Sequence, residues 1–462
     1  MKVLLIVPET DSHYTVPPLS LGYIAKDLIR NGFEVRILDG IKEKLNEQKM
    51  GDTAREFQPD VVGFQVYSCD VPAVNKYLKL LKEEFPNVLR IIGGPHVSGV
   101  KEAVFNDLND ADYAFHGEVE AVLPKFLKHY RTGDLHSLKG LIWRDKENVR
   151  ANPPNIEEDL DAIGMPAWEL MNPNSYRGAP QGAVYRNFPI APILTSRGCP
   201  YFCTFCANHI THGRKVRERS VANIIEEIAY LQKEYGVKEI HIIDDNFANR
   251  KERVLEFCNE VKKKQLKFTL TFPNGIRLNC LDEEILKALK GIGCYSVIVG
   301  IESGSEKILK DMKKSLAPGI IKEKIKLIDS FGIDVTGFFI IGYPTETRET
   351  IEQTIKFAKG LKLKRAHFSL FLPLPGTEIT EQLIKEGKLK TVNWAGLSYT
   401  KVQYVPEGMT EDELKRYQQK AFMEFYLRPK IILGMIKEIR SWEQFKQLAK
   451  RAVDYGLAGR AA

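Results

Sequence analysis

Apolar, strand-like runs alternate with amphipathic, helix-like segments in two successive series along this chain of 462 residues. Such alternation requires a parallel sheet covered by helices on both faces. Residues 1–140 are therefore predicted to form a doubly wound α/β domain, which binds ligands at the carboxyl ends of its strands. Its strands are predicted at Met1–Val7, Val35–Leu38, Val61–Gln65, Leu89–Ile92 and Ala111–Phe115, and its helices at Leu19–Asn31, Val71–Glu84 and Glu118–Tyr130.

The second series begins after residues 141–190, a proline-rich stretch with little periodicity that we interpret as a linker. Six βα units within residues 191–390 predict a partial (β/α)6 barrel with its reaction face at the strand carboxyl ends. Residues 391–462 predict a mostly helical C-terminal domain, with helices at Glu411–Tyr426 and Arg428–Tyr455. The barrel strands are predicted at Ala191–Ser196, Glu239–Asp244, Phe268–Phe272, Ser296–Ile301, Asp334–Ile341 and Arg365–Leu370.

Three of the seven cysteines, Cys199, Cys203 and Cys206, follow the first strand of the second series with the spacing C-x3-C-x2-C. Soft thiolates suit zinc or an iron–sulfur cluster. A structural zinc site takes four ligands, so its fourth would have to come from a distant residue such as Cys258, Cys280 or Cys294. An iron–sulfur cubane with three cysteine ligands leaves one iron open for another molecule.

This triad, with Phe205 directly before its last cysteine, resembles the signature of the radical S-adenosylmethionine (SAM) superfamily. The resemblance implies that the three cysteines bind a [4Fe-4S] cluster whose open iron chelates SAM. An electron from the cluster would then cleave SAM to a 5′-deoxyadenosyl radical. A flavodoxin or ferredoxin would be the electron donor.

Other segments resemble the SAM-contacting parts of that family. Asp244 and Asp245 end the second barrel strand, where the resemblance implies contacts to the SAM amino group, with helix capping as the structural alternative. Asn274 and Arg277 follow the third strand and would meet the SAM carboxylate or ribose, unless Arg277 forms a surface ion pair. The remaining implied contacts are to ribose at Glu302 and Ser303, and to adenine near Phe205 and Gly342.

An α/β domain ahead of such a barrel resembles the Rossmann-like domain of the cobalamin-binding class of radical SAM proteins. The matching segments are Gly93-Gly94-Pro95-His96 after the fourth strand and Gly117-Glu118 after the fifth. Glycine at a strand end lets the backbone approach a ligand closely, as the nucleotide tail of cobalamin requires. His96 and Glu118 would contact the cofactor or, alternatively, cap helices.

The lower axial ligand of cobalt is a separate question. Many cobalamin domains carry D-x-H-x-x-G, and Asp11–Val16 comes close to it with His13, but Val16 replaces the glycine. We therefore expect base-off cobalamin without a histidine ligand. Its lower face would lie near Tyr67 and Ser68.

The class that this chain resembles includes methyltransferases, and we expect methylation of an unactivated carbon of a small molecule, lipid or peptide. The same architecture also resembles enzymes that carry out oxidative cyclisation, ring rearrangement or hydration, and a non-catalytic cobalamin sensor is a third alternative. A radical SAM methylthiotransferase would need a second cysteine cluster in its first domain. Cys69 is the only cysteine before Cys199, which argues against that activity.

Composition and charge limit the remaining partners. The chain carries 67 Lys and Arg against 60 Asp and Glu, a net charge of +7 that gives little support to a nucleic-acid partner. No apolar run reaches the length of a membrane span, and an odd cysteine count indicates a reducing compartment, so a cytoplasmic protein is expected. The basic and apolar segment around Arg428–Lys437 predicts either peripheral membrane contact or a helix packed on the barrel.

Overall fold

The computed structural model describes residues 1–10, 15–176, 185–390 and 392–436, together with residues 439, 442, 445, 446 and 449. Two sheets account for most of the described strands. Helices of these residues are too short or too polar to cross a bilayer.

The first sheet has seven strands in the order β2-β1-β3-β4-β5-β6-β7, of which the first five run parallel. Its interior strand β1 is buried throughout its middle, and separate apolar clusters pack on the two faces of the sheet. The strands are β1 (Lys2–Val7), β2 (Glu34–Asp39), β3 (Val61–Gln65), β4 (Leu89–Gly93), β5 (Tyr113–Phe115), β6 (Leu141–Asp145) and β7 (Asn148–Ala151). The helices are α1 (Leu19–Arg30), α2 (Gly40–Glu43), α3 (Glu47–Phe57), α4 (Val71–Glu84), α5 (Pro95–Val100), α6 (Val104–Asp107) and α7 (Leu123–His129).

Strands β6 and β7 lie in the stretch predicted as a linker, and they extend the first sheet by an antiparallel hairpin. Leu141, Ile142 and Trp143 are buried, so this apolar run covers the edge of β5. The hairpin turns through two residues, with Lys146 at φ 58°. The sequence lacks the Asn-Gly pair that usually marks such a turn, which explains why the hairpin was missed.

The predicted helix Glu118–Tyr130 is shorter in the structure and begins at Leu123 as α7. Gly117 instead forms an isolated bridge with Asn155, and Glu118 donates its backbone N–H to the carbonyl of Asn155. The residues before α7 therefore connect the first domain to the segment that follows its hairpin.

The second sheet is open and entirely parallel, with the order β15-β14-β13-β12-β11-β8. Helices connect its strands, as expected for a partial (β/α)6 barrel, and most of the largest apolar cluster lies between sheet and helices. The strands are β8 (Ile190–Ile193), β11 (Glu239–Ile242), β12 (Thr269–Phe272), β13 (Cys294–Glu302), β14 (Asp334–Ile341) and β15 (Arg365–Leu370). A small antiparallel pair, β9 (Ser196–Arg197) and β10 (Arg217–Glu218), flanks the cysteine loop.

The remaining helices lie in the segment before the barrel, within the barrel and in the chain after it. Helix α17 repeats the predicted bounds, whereas half of the predicted helix Arg428–Tyr455 lies outside the described residues. These helices are α8 (Leu160–Ile163), α9 (Asn208–His212), α10 (Val221–Tyr235), α11 (Lys251–Lys263), α12 (Glu283–Gly291), α13 (Glu306–Asp311), α14 (Pro318–Ser330), α15 (Arg348–Gly360), α16 (Glu378–Lys385), α17 (Glu411–Tyr426) and α18 (Pro429–Ile436).

Candidate active site

A continuous cavity of about 1740 Å³ lies between the first domain, the barrel and the C-terminal helices. Tyr67, Ser68 and Pro95 line it from the carboxyl end of the first sheet, and Asn208 and Asp245 line it beside the cysteine loop. Pockets for single drug-sized ligands span roughly 300–1,000 Å³. This cavity therefore has room for more than one ligand.

The cysteine loop leaves the barrel through Gly198, whose φ is +90°. A Cβ at this position would lie 2.3 Å from the carbonyl oxygen of Lys215, so only glycine fits the turn. The Gly198 N–H donates to Oδ2 of Asp245 at 3.0 Å. The turn and this hydrogen bond fix the loop at the end of β11.

Cys199, Cys203 and Cys206 are free, half-buried thiols on this loop, and burial raises the pKa of Cys206 to about 11. Among the residues that the structure describes, no three Cys, His, Asp or Glu side chains converge as a single metal ion requires. An iron–sulfur cubane does not need that convergence, because each thiolate binds a different iron. Three thiols spread over one short loop fit such a cluster.

Two cations lie beside the thiols. Arg277 places Nη1 3.9 Å from Sγ of Cys203 and stacks on the ring of Tyr201 at 3.6 Å from its centroid. The ammonium of Lys314 lies over the ring of Phe205 at 5.9 Å. Positive charge offsets the negative charge that three thiolates give a bound cluster, so the surroundings also fit this cofactor.

Lys314 has no functional signal in the sequence, because Lys313-Lys314 has the pattern of surface charge. The structure buries Lys314 and pairs its ammonium with Oε1 of Glu302 at 2.6 Å. Glu302 ends β13 with φ at +65°, a conformation that is costly for a residue with a Cβ. The predicted residue Glu302 and the missed residue Lys314 thus form one buried pair behind the cysteine loop.

Asp244 and Asp245 have different surroundings. Asp244 is 2% exposed and accepts hydrogen bonds from the backbone N–H and hydroxyl of Thr195 and the hydroxyl of Ser196 at 2.5–2.7 Å. Both its oxygens accept hydrogen bonds that fix the chain before the cysteine loop, and its contact with the SAM amino group stays a prediction. Asp245 lines the cavity.

Three other predicted SAM contacts are engaged within the fold. Ser303 is fully buried, and its hydroxyl lies 2.9 Å from that of Thr354, while its contact with ribose stays a prediction. Asn274 donates from Nδ2 to the carbonyl of Ile243 at 2.6 Å. Gly342 adopts φ +83° and faces Leu414 of α17.

On the cobalamin side, Gly94 follows β4 with φ +109°, and a Cβ there would lie 3.0 Å from the backbone N and O of Val66. A Cβ on the neighbouring Gly93 would meet the carbonyl oxygen of Phe115 at 3.5 Å. The two glycines bring the carboxyl ends of β3, β4 and β5 close together and place Pro95 and Ser68 on the cavity wall. Pro95 and Ser68 are therefore among the side chains that a ligand at this strand end would meet.

His96 is fully buried beneath this wall, and its contact with the cofactor stays a prediction. Its Nδ1 lies 3.0 Å from the Ser68 hydroxyl, and its Nε2 lies 3.4 Å from Oδ2 of Asp107. Trp394 donates from Nε1 to the other oxygen of Asp107 at 3.0 Å. His96 therefore holds the Ser68 hydroxyl in place through this contact. His13 lies outside the described residues.

Glu118 lies at the junction of the two domains, and its contact with cobalamin stays a prediction. Its carboxylate forms ion pairs with Arg217 at 2.7 Å, His212 at 2.9 Å and Arg197 at 3.3 Å. Burial favours a higher pKa, but hydrogen bonds from His212 and Arg217 outweigh it and hold the pKa of Glu118 well below its usual range. Glu120 completes the junction with a bond of 2.6 Å to Arg197.

Comparison with known families agrees with this architecture. Residues 7–127 match the B12 binding domain, and residues 193–358 match the radical SAM superfamily. The chain is 34% identical over 98% of its length to the uncharacterized methyltransferase PH0819 of Pyrococcus horikoshii, covering 97% of that protein. The chain therefore belongs to the B12-binding radical SAM family and is an enzyme of that class.

Two further relatives carry different activities in their names. The chain is 31% identical to the cytidylyl-2-hydroxyethylphosphonate methyltransferase of Streptomyces wedmorensis, over 84% of this chain and 82% of that protein. It is 26% identical to the anaerobic magnesium-protoporphyrin IX monomethyl ester cyclase of Cereibacter sphaeroides, over 89% and 67%. The relatives therefore include both methyltransferases and a cyclase.

A solved structure shares the whole fold. The cobalamin-dependent SAM radical enzyme OxsB, with aqua-cobalamin and SAM bound, aligns with a TM-score of 0.73 at 16% identity. The alignment covers 98% of this chain and 71% of OxsB. At this identity the likeness extends to the fold alone, which confirms the predicted order of a cobalamin-type α/β domain, a radical SAM barrel and a helical C-terminal region.

Proposed function

We propose that this enzyme methylates an unactivated carbon of an organic substrate by using a [4Fe-4S] cluster, SAM and cobalamin together. The main support for the proposal is the shared cavity. Asp245 and Asn208 line it beside the cysteine loop, and Tyr67 and Ser68 line it at the carboxyl end of the first sheet. A methyl group can pass between two cofactors and a substrate only where all three reach one space.

We assign the cluster to Cys199, Cys203 and Cys206. Asp245 and Arg277 are the proposed contacts for SAM, with Glu302 held in place by Lys314 and the backbone near Phe205 facing the adenine. The corrin would lie against Tyr67, Ser68 and Pro95, with its tail near Gly93 and Gly94, base-off and without a histidine ligand. Domain boundaries are proposed at Ala151 for the first domain and near residue 390 for the end of the barrel.

When bound, the cluster supplies the electron that cleaves SAM, and the cobalamin supplies the methyl group. The chain's own contribution is to hold both in one cavity. Arg277 and Lys314 place positive charge beside the thiols, and Gly198 fixes the loop that carries them. No acid–base pair is required, and the proposed electron donor is a flavodoxin or ferredoxin.

The test does not require the substrate. The chain is reconstituted without oxygen with iron, sulfide and cobalamin, reduced, and given SAM with a deuterated methyl group. We expect deuterium in the bound corrinoid and 5′-deoxyadenosine in solution. Corrinoid that stays unlabelled while 5′-deoxyadenosine forms would contradict a methyltransferase.

A pair of cysteine variants controls this experiment. Cys203→Ala should lose iron and 5′-deoxyadenosine, and because the proposed SAM contacts surround the cluster it should also transfer less deuterium to the corrinoid. Cys258→Ala, a change at a buried cysteine of α11, should keep the iron content of the original chain. Equal iron in the two variants would remove the cluster assignment.

Oxidative cyclisation is the second candidate, since the relatives include a cyclase. It uses the same three cysteines and the same cavity. Formation of 5′-deoxyadenosine without methyl transfer to the corrinoid, as in the unlabelled outcome above, would favour it.

A further inference from the structure

Helix α18 is apolar over most of its length but buries none of its side chains. Leu433 and Ile436 are each 59% exposed, and Ile432 is 39% exposed. Leu427, which precedes the helix, is 60% exposed. Single exposed apolar residues are ordinary, whereas a contiguous group of this kind marks a binding surface.

The same helix forms one wall of the active-site cavity. Ile432, Met435 and Ile436 of α18 line the cavity together with Phe422 and Met423 of α17. We call these five residues the apolar wall. Helix α17 is attached to β15, where Gln418 donates to the carbonyl of Phe368 at 2.8 Å and Tyr426 to that of Ala366 at 2.9 Å. Helix α17, which carries Phe422 and Met423, is therefore fixed against the edge of the barrel.

The barrel interior offers the opposite chemistry. Barrel lumens are usually filled by bulky aliphatic side chains. Here polar side chains on five successive strands line the open space, and we call them the polar lumen: His241, Thr271, Ser296, Thr336 and Arg365. One cavity thus combines hydrogen-bonding groups inside the sheet with hydrocarbon side chains at its border.

We propose that the cavity binds an amphipathic substrate of the lipid class, with its polar group in the polar lumen and its hydrocarbon part against the apolar wall. The inference rests on the proposed function, because it names the class of molecule that is methylated. A small polar substrate would leave the apolar wall in water, at a cost of roughly 25 cal/mol per Å². A hydrocarbon chain or ring system covers it.

The test uses cis-parinaric acid, a fluorescent fatty acid, titrated into the chain loaded with iron, sulfide and cobalamin but without SAM. We expect saturable binding with about one site per chain. Ile432→Asp should weaken the affinity about tenfold, because it places a charge on the apolar wall. Leu433→Asp is the matched control, since Leu433 is exposed on the same helix but does not line the cavity, and it should change the affinity less than about twofold.

Circular dichroism checks that the variants fold, and Ile432→Ser repeats the test with a milder change. Wild-type affinity in every folded Ile432 variant overturns the inference. If Ile432→Asp and Leu433→Asp lower the affinity for the probe equally, and both variants no longer sediment with phosphatidylglycerol vesicles, then α18 is a membrane-contacting helix. That result also overturns the inference. If only the Ile432 variants bind the probe more weakly, but no deuterium reaches the corrinoid, the lipid site stands and the proposed function fails. The two failures are therefore distinguishable.

Discussion

Arg217 and Glu118 form a two-pronged ion pair between the two domains, with Nη1 2.7 Å from Oε2 and Nη2 2.7 Å from Oε1. Both side chains are almost fully buried. Removing one member of a buried pair leaves the other charge without compensation, which typically costs about 3–5 kcal/mol. The junction is therefore sensitive to single changes.

We expect Glu118→Gln to lower the free energy of unfolding by about 3–5 kcal/mol, measured by urea denaturation. Glu158→Gln is the control, because Glu158 pairs with Lys215 in solvent, where water screens the pair and its contribution to stability is small. The pKa of Glu118 is lowered in the fold, so its contribution is present above its unfolded pKa and is lost as the pH falls below it. Similar losses in the two variants at neutral pH would contradict this prediction.

The two aspartates at the end of β11 should separate stability from ligand binding. Asp244→Ala leaves the Thr195 and Ser196 donors buried without their acceptor and should cost about 2–4 kcal/mol. Asp245→Ala removes one hydrogen bond from a partly exposed site and should cost less than about 1.5 kcal/mol. Isothermal titration of the cluster-loaded chain with SAM should show weaker binding for Asp245→Ala. Unchanged SAM affinity in that variant would remove Asp245 from the proposed SAM site.

Gly94 should tolerate no side chain. Gly94→Ala forces an alanine to φ +109° and places its Cβ 3.0 Å from the backbone of Val66. We expect lower stability and loss of corrinoid, quantified by its absorption after gel filtration. Gly319→Ala, where a Cβ meets no atom within 4 Å, should be neutral or stabilising by about 0.5–1 kcal/mol. Full corrinoid content in Gly94→Ala would show that this strand end does not hold the cofactor.

Glu346 should make stability depend on pH. Burial raises its pKa to about 8, against partial compensation by the N–H groups of Gly342 and Tyr343. An acid with a raised folded pKa favours the folded state while protonated, so stability falls as the pH rises from about 4.5 to about 8, by up to about 1.4 kcal/mol per pH unit. Urea unfolding at several pH values should show a flatter profile for Glu346→Gln.

Glu349→Gln is the control for that profile. Glu349 lies in the first turn of α15 in solvent, and a hydrogen bond from Thr347 lowers its pKa. Its ionisation therefore adds no slope above pH 5, and the variant should keep the profile of the original chain. A flatter profile in Glu349→Gln would assign the effect to the helix terminus and not to the buried carboxyl.

The local pattern of the sequence predicted much of the fold. Strands Val61–Gln65, Asp334–Ile341 and Arg365–Leu370 and the helix Val71–Glu84 have the predicted bounds, because each is a continuous periodic run between turn residues. The hairpin at Leu141–Ala151 was missed because its turn residues are Lys and Glu. Local periodicity contains no information on such an atypical turn.

The site was harder to predict, because its key contacts join distant residues. Spacing within ten residues identified the cysteine loop. The partners of Glu118 are 94 and 99 positions away at His212 and Arg217, and no local pattern indicates them. For Asp244, the motif identified the correct strand end but could not show which of two adjacent carboxylates faces inward. The roles proposed for the cofactor-binding residues stay predictions.

Gly99 of α5 and Gly376, which follows β15, lie against each other without an intervening side chain. A Cβ on Gly99 would come within 2.8 Å of the carbonyl oxygen of Pro375, and one on Gly376 within 3.2 Å of the carbonyl oxygen of Gly99. The gap between the first domain and the barrel is set here by main-chain atoms. Because main-chain atoms set this gap, the side chains that line the cavity can change without altering the separation of the two halves.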